Sequence, residues 1–155
     1  MTTESDIAPV RKELQLACSP AQAFATFTTG MGRWWPLATH SVGQEAAESV
    51  VVEGRVGGRI VERTRDGAEH VWGTVTAWQP AERFAFTWHP GRPADSAQAV
   101  DVGFFAGDGG CRVVLEHGDW QVLGDRAGDV REQYDSGWDE VFGQRYASAA
   151  ATAVA

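Results

Sequence analysis

The sequence predicts an α+β domain in which a curved seven-stranded antiparallel sheet holds a long C-terminal helix. Six short strand-like runs follow one another between positions 49 and 117, and the run over residues 84–89 alternates strictly between larger apolar residues and smaller or polar ones. Short turns containing Gly, Asp or Pro separate these runs, which favours hairpins. An amphipathic stretch then closes the chain, and its apolar stripe has only the sheet to cover it.

Two short patterns indicate the first strand and the helices that follow it. The alternation over residues 10–16 predicts a half-buried strand. The segment Ser19-Pro20-Ala21-Gln22 has the residues of a capping box, which begins a helix. Gly30 ends this helix, and Pro36 disfavours helical geometry in the residue before it. Residues 31–37 are therefore predicted to form a turn or a second short helical piece.

Six further strands are predicted in meander order, and the hairpin over residues 72–88 is the most informative part of them. Phe84, Phe86 and Trp88 occupy alternate positions, so they share one strongly apolar face, which belongs to a core or a cavity. The predicted strands cover residues 49–54, 58–64, 71–78, 84–89, 99–106 and 112–117.

Apolar residues at helical spacing predict the last helix. Gly128, Gly137 and Gly143 each make this helix less stable by about 1 kcal/mol relative to alanine. A glycine within a helix is tolerated where another group must approach the helix backbone closely. Here that group is either a ligand in the gap beside Gly137 or the sheet itself. The residues of the stripe are Val130, Tyr134, Trp138, Val141, Phe142, Arg145 and Tyr146.

Composition limits the class of protein. The 155 residues, 43% of them apolar, suffice for one core, so we expect one domain over residues 7–150 and flexible tails at 1–6 and 151–155. A net charge of −8 disfavours nucleic acid and anionic membranes as partners. The apolar runs are too short to span a membrane, and the two cysteines have neither disulfide-scaffold nor metal-ligand spacing. These features predict a soluble, cytoplasmic protein.

Several segments, taken in order, carry a resemblance to a known family. They are Phe24 to Phe27 with Met31-Gly32-Arg33-Trp34-Trp35-Pro36, then Arg55-Val56-Gly57-Gly58-Arg59-Ile60, Trp72-Gly73-Thr74-Val75, Phe84-Ala85-Phe86-Thr87-Trp88, Leu115-Glu116-His117 and Ser136-Gly137-Trp138. With the order of elements, they resemble the helix-grip fold of the START-like (SRPBCC) superfamily, and within it the branch named after the activator of the heat-shock protein 90 ATPase. That superfamily includes carriers of hydrophobic ligands and polyketide cyclases or dehydratases. The resemblance therefore implies a pocket between the sheet and the C-terminal helix.

Strand parity and the implied pocket together indicate which side chains meet a ligand. Trp34 and Trp35 belong to the turn where this fold commonly has a cavity mouth. Their N–H groups are suited to orient a polar ligand, and the alternative is that the two rings plug that end. For the other residues the alternative is a solid aromatic core. The predicted ligand-binding set is Trp34, Trp35, Trp72, Phe84, Phe86, Trp88, Phe104, His117, Tyr134 and Trp138.

His117 is the candidate for acid–base chemistry, because its parity places it inside the sheet, where burial shifts the pKa of an imidazole. A hydrogen-bonded core histidine is the alternative. Glu53 and Glu62 are candidate bases if they point inward, and the pattern does not decide which face they occupy. The four histidines are too widely spaced to predict a metal site, and no cofactor-binding motif is present.

Three functions are consistent with the sequence. The first is a module that encloses a small hydrophobic or aromatic ligand between sheet and helix. The second is a cyclase- or hydratase-type enzyme that uses His117 or a buried Glu. The third is a protein that docks on a chaperone or forms a homodimer. A dry apolar cavity favours the first, a carboxylate bonded to His117 the second, and a filled core with an apolar outer patch the third.

Overall fold

One curved antiparallel sheet, covered by helices, forms the framework that the sequence predicts. A computed structural model describes residues 7–152. The strands are β1 (Val10–Leu16), β2 (Ala47–Val52), β3 (Arg59–Thr64), β4 (Glu69–Gln79), β5 (Arg83–Trp88), β6 (Gln98–Gly107) and β7 (Gly110–Gly118). Their spatial order is β1-β7-β6-β5-β4-β3-β2. The first strand therefore pairs with the last, and the others form a meander.

Each predicted strand is present, with ends that differ from the prediction by at most two residues. The strands extend into the turns because a tight turn leaves its flanking residues opposite each other, as Gly107 and Gly110 are. Gly109, within that turn, has a φ of 77°, which a side chain would disfavour. Register shifts in the β2–β3, β3–β4 and β4–β5 pairs bend the sheet.

Two short helices follow β1, at the positions that the sequence predicts. They are α1 (Pro20–Phe27) and α2 (Met31–Trp34). The capping box at the start of α1 is complete: the Gln22 backbone N–H donates to Ser19 Oγ at 3.1 Å, and the Ser19 backbone N–H donates to Gln22 Oε1 at 2.9 Å. At the end of α2, Trp35 is extended, as its position before Pro36 requires.

The C-terminal helix is longer than predicted and changes pitch along its length. It consists of α3 (Ala127–Glu140), a π-helical turn (Val141–Tyr146) and α4 (Ala147–Thr152). Residues 151 and 152, predicted as part of a tail, continue α4, whereas residues 1–6 and 153–155, also predicted as tails, lie outside the described residues. No helix in the described part of the chain is long and apolar enough to cross a membrane.

A 3-10 helix (Trp120–Arg126) connects β7 to α3, and the sequence pattern does not predict it. It follows Asp119, whose φ of 60° turns the chain sharply at the end of the sheet. Trp120 is fully buried beneath this connection. The loop therefore contributes one large ring to the interior.

The core lies between the concave face of the sheet and the helices, and aromatic rings make up much of it. Phe27 of α1 is central, because its ring lies 4.9–6.4 Å from the rings of five other residues. The Tyr146 hydroxyl donates to the Ala23 carbonyl at 2.8 Å and so fixes the C-terminal helix to α1. The five neighbours of Phe27 are Trp34, Phe84, Phe104, Phe142 and Tyr146.

Candidate functional site

The two glutamates that the sequence leaves undecided occupy opposite faces of the sheet. Glu62 is fully buried, and its carboxylate accepts three hydrogen bonds: from the Val42 N–H at 2.8 Å, the Gly43 N–H at 2.7 Å and Trp72 Nε1 at 2.9 Å. Glu53 instead pairs with exposed Arg59 at 3.1 Å. The carboxylate of Glu62 thus fastens the loop after α2 to the sheet, with its oxygens occupied by donors from the protein itself.

Four tryptophans predicted to line a pocket are in contact with one another. The Trp35 ring lies 5.2 Å from Trp72, 5.7 Å from Trp88 and 5.9 Å from Trp138. Trp72 and Trp88 are 5.5 Å apart. Centroid distances in this range are those of packed aromatic pairs. These four rings therefore pack together in the space between β4, β5 and α3.

The indole N–H groups of Trp34 and Trp35 already have partners. Trp34 Nε1 donates to the Thr26 carbonyl and Trp35 Nε1 to the His40 carbonyl, both at 2.7 Å. Both side chains are buried. The geometry does not support the prediction that these N–H groups orient a ligand, and it favours the alternative in which the two rings close that end of the sheet.

The phenylalanines of the predicted set pack toward α1. The Phe104 ring lies 5.4 Å from Phe24, and the Phe84 ring lies 5.9 Å from Phe27. Phe86 lies between this group and the tryptophans, 4.8 Å from Phe84 and 5.6 Å from Trp88. All three predicted residues face inward, as strand parity indicates, and the structure surrounds them with other core rings.

His117 lies at the far end of the tryptophan cluster, on β7, and its side chain is fully buried. Trp138 Nε1 donates to His117 Nδ1 at 3.0 Å. Since an indole nitrogen can only donate, Nδ1 is the acceptor and the ring proton is on Nε2. Burial, and to a smaller extent the positive charge of Arg92, lower the pKa of His117 to about 3. At neutral pH His117 is therefore an uncharged donor.

This state changes what His117 is able to do chemically. Nδ1 is engaged by Trp138, and Nε2 already carries its proton, so the neutral ring offers no free lone pair to a substrate. A pKa of about 3 also leaves too little imidazolium at pH 7 for efficient general acid catalysis. The geometry supports hydrogen-bond donation from Nε2 rather than the predicted acid–base role.

Trp120 completes a pair of unpartnered donors with His117. The two rings have centroids 4.2 Å apart. Neither His117 Nε2 nor Trp120 Nε1 has a hydrogen-bond partner among the described residues, and both atoms are buried. Trp120 was not in the predicted set. Its signal in the sequence is a single large aromatic residue between Asp119 and Gln121, directly after the last predicted strand.

A groove of about 300 Å³, which we call the α3 groove, lies on the other side of Tyr134 from this pair, and neither His117 nor Trp120 lines it. Tyr134 joins the groove to the interior: it lines the opening, and its ring lies 4.8 Å from His117 and 5.7 Å from Trp120. The Tyr134 hydroxyl accepts a hydrogen bond from Trp88 Nε1 at 3.2 Å. The groove is lined by His40, Arg92, Leu123, Arg126, Val130, Gln133, Tyr134 and Gly137.

Gly137 belongs to the wall of the α3 groove. A β-carbon built at this position meets no atom within 4 Å, and the same is true of Gly128 and Gly143. Close helix-to-sheet packing therefore does not explain any of the three glycines. At Gly137 the missing side chain leaves space in the groove, as the ligand interpretation of this residue predicts.

A second, larger groove of about 950 Å³ lies between α1, α2 and the end of the C-terminal helix. Of the predicted ligand-binding residues only Trp34 lines this groove, as only Tyr134 lines the α3 groove. We favour the α3 groove as the candidate site because Tyr134 contacts the rings of both buried donors. The larger groove is lined by Ala25, Thr26, Thr29, Gly30, Arg33, Trp34, Gln144, Arg145, Ser148, Ala149 and Thr152.

The family model described as Activator of Hsp90 ATPase homolog 1-like protein matches residues 17–148. No curated protein matches the chain. Among solved structures, the anthrahydroquino-gamma-pyrone synthase Txn09, complexed with SUM, is 30% identical, and the match covers 94% of this chain and 98% of that chain with a TM-score of 0.62.

Two further solved structures are similar in fold. The AHSA1-like protein from Aeromonas hydrophila is 17% identical with a TM-score of 0.66, and the match covers 94% of each chain. Protein NE0264 from Nitrosomonas europaea is 12% identical with a TM-score of 0.60, and the match covers 95% of this chain and 94% of that chain. The resemblance to Txn09 extends from fold to sequence.

Proposed function

The chain belongs to the family of Activator of Hsp90 ATPase homolog 1-like proteins, within the START-like superfamily, and from this premise we propose that it binds a small aromatic ligand in the α3 groove. The observation that carries the proposal is that Tyr134, a wall residue of this groove, contacts the buried rings of His117 and Trp120. A volume of about 300 Å³ is at the small end of the range for ligand pockets. The proposed ligand is therefore a compound of two or three fused rings.

The rim of the groove favours a ligand that carries oxygen. Arg92 and Arg126 both line it, in a chain whose net charge is −8. The Arg92 guanidinium donates to the Gln98 side chain at 2.9 Å and to the Ser96 carbonyl at 2.8 Å, so it is held in place. Arg126 forms no ion pair with any residue between 7 and 152. Phenol or ketone oxygens suit such a rim better than basic groups do.

Replacing Gly137 with leucine tests the location of the site. Gly137 lines the groove, and a β-carbon at this position meets no atom within 4 Å, so the leucine side chain extends into the groove from an unstrained position. We expect the affinity for 1-naphthol, measured by isothermal titration calorimetry, to fall at least about tenfold, a loss of about 1.4 kcal/mol. The variant should unfold at a higher urea concentration, because leucine favours helix over glycine by up to about 1 kcal/mol.

Gly128→Leu is the matched control. It makes the same change in the same helix, also in open space, at a position that does not line the groove. It should gain similar stability and bind 1-naphthol as the parent chain does. If Gly137→Leu binds as tightly as Gly128→Leu, the ligand does not occupy the α3 groove. If 1-naphthol and larger fused-ring phenols all fail to bind the parent chain, the proposed function is wrong.

A second candidate function is ring closure on an aromatic, carbonyl-bearing substrate. The observation that favours it is the 30% identity to a gamma-pyrone synthase over nearly the whole of both chains. In such a reaction a phenol oxygen bonds to a ketone carbon and water leaves. His117 would take part as a neutral hydrogen-bond donor to the reacting carbonyl, for the reasons given above.

Conversion of 2-hydroxybenzoylacetone into 2-methylchromone, followed by absorbance, tests this second function. We expect the protein to accelerate the reaction above the rate in buffer, and Gly137→Leu to remove most of the acceleration by filling the groove. Gly128→Leu should retain it. If calorimetry shows that the probe binds but the rates with and without protein are equal, the ring-closure function is wrong and only the binding function remains.

A further inference from the structure

Two donors that lack partners lie side by side in the interior, and the proposed function does not by itself explain them. His117 Nε2 and Trp120 Nε1 are both buried and unpaired among the described residues, and their rings are 4.2 Å apart. Buried polar groups in native proteins almost always have a partner, so an unpaired buried donor points to an absent acceptor. The contact between the two rings places both donors in one part of the interior.

We propose that His117 and Trp120 form a two-donor subsite that receives a ketone, quinone or phenolate oxygen of the ligand. The subsite rests on the proposed function, since the ligand must enter through the α3 groove. It assigns a role to Trp120 and restricts the ligand to compounds that present an oxygen acceptor at the edge of a ring.

The chemistry of both donors is fixed. Trp120 Nε1 can only donate. His117 donates from Nε2 because Trp138 occupies Nδ1 at 3.0 Å. Neither ring is charged at neutral pH, and the positive charge of Arg92 acts on the same region. An oxygen with partial or full negative charge is therefore accepted, whereas a protonated amine meets two N–H groups and a cation.

Access to the subsite depends on Tyr134. This half-buried side chain contacts both rings and also lines the groove. Its hydroxyl is held by one hydrogen bond from inside the protein, from Trp88 Nε1 at 3.2 Å. The proposed subsite requires the Tyr134 side chain to rotate away from His117 and Trp120, so that the ligand oxygen meets the two donors.

A matched pair of ligands isolates the contribution of the oxygen. 1-Tetralone and tetralin have the same fused ring skeleton, and only the ketone carries an acceptor. We expect calorimetry to give about tenfold or greater preference for 1-tetralone, because the hydrocarbon leaves both donors unpaired. In ¹⁵N-edited spectra the indole N–H proton of Trp120 should move downfield with 1-tetralone and stay in place with tetralin.

Trp120→Phe keeps a large ring and removes one donor, so the preference for the ketone should fall several-fold. Trp34→Phe is the control, because it also removes one indole N–H. That N–H donates to the Thr26 carbonyl, and Trp34 lines the larger groove instead of the α3 groove. It should leave the preference unchanged. Circular dichroism and urea unfolding establish that both variants are folded.

The possible outcomes separate the subsite from the proposed function. If the two ligands bind equally and the Trp120 N–H does not respond, the donors hold a buried water molecule only and the subsite is wrong. A loss of ligand binding in Gly137→Leu would still support the α3 groove as the binding site. A ketone preference that survives in Trp120→Phe also contradicts the two-donor subsite. If neither 1-tetralone, tetralin nor 1-naphthol binds, both the proposed function and the subsite are wrong.

Discussion

Glu62→Ala is expected to lower the free energy of unfolding by about 3–5 kcal/mol, because three hydrogen bonds to a charged group are lost at once. The carboxylate is fully buried and receives the N–H groups of Val42, Gly43 and Trp72. After its removal the Trp72 indole N–H stays buried in the ring cluster without an acceptor. Urea unfolding followed by tryptophan fluorescence measures the change.

Two other variants make the Glu62 result interpretable. Glu53→Ala removes a carboxylate of the same kind from an exposed ion pair with Arg59, and its effect should be much smaller because solvent replaces the lost contact. Glu62→Gln preserves shape and one acceptor oxygen but turns an N–H₂ group toward a backbone donor, so its effect should lie between the two. If Glu62→Ala and Glu53→Ala unfold alike, water satisfies the loop donors and the carboxylate is not a structural anchor.

Glu62→Ala should also weaken ligand binding in the α3 groove. The loop that Glu62 fastens continues from the segment containing His40, whose carbonyl accepts the Trp35 indole N–H and whose side chain lines the α3 groove. Loosening this loop frees one wall of the groove and one neighbour of the tryptophan cluster. A weaker affinity for 1-naphthol in Glu62→Ala, at a urea concentration where the variant is folded, would be consistent with this connection.

Strand periodicity predicts the inward faces of β5, β6 and β7, and it does so for a physical reason. Where apolar and polar residues alternate, only one register covers the apolar face, as with Phe84, Phe86 and Trp88. In β3 the adjacent residues Ile60 and Val61 are both apolar, so alternation cannot tell which face contains Glu62. In the structure Ile60 belongs to the core cluster, whereas Val61 is buried on the opposite face of the sheet, beside Val51 and Arg63.

The paired donors could not be predicted from the sequence, because their arrangement depends on contacts between distant elements. The Trp138 indole N–H, which fixes the tautomer of His117, is 21 residues away from it in the chain. Trp120 lies in a 3-10 helix without a recognisable period, directly after Asp119, which adopts a positive φ. Aromatic residues in the sequence indicate where rings gather, whereas their hydrogen bonds decide which N–H groups are left for a ligand.

Acidification is expected to destabilise the protein through His117, and the sign follows from its pKa. The imidazole titrates near 6.5 in the unfolded chain and near 3 in the folded protein, because burial disfavours the charged ring. Between these values the unfolded state binds a proton that the folded state does not. The free energy of unfolding therefore falls as the pH drops below about 6.5, by about 1.4 kcal/mol per pH unit, and this effect levels off near pH 3.

His117→Gln separates this contribution from that of the other titrating groups, which both proteins share. The glutamine amide oxygen is able to accept the Trp138 N–H in place of Nδ1, and the side chain carries no titrating proton. Between pH 7 and pH 5 the parent chain should lose about 2 kcal/mol more stability than the variant in urea unfolding. Equal losses would mean that the folded protein protonates His117 readily. Protonation would place a second proton on Nδ1 and break its hydrogen bond from Trp138, while Nε2 would still donate. The affinity for 1-tetralone would then change between pH 7 and pH 5, whereas it should stay constant if His117 remains neutral.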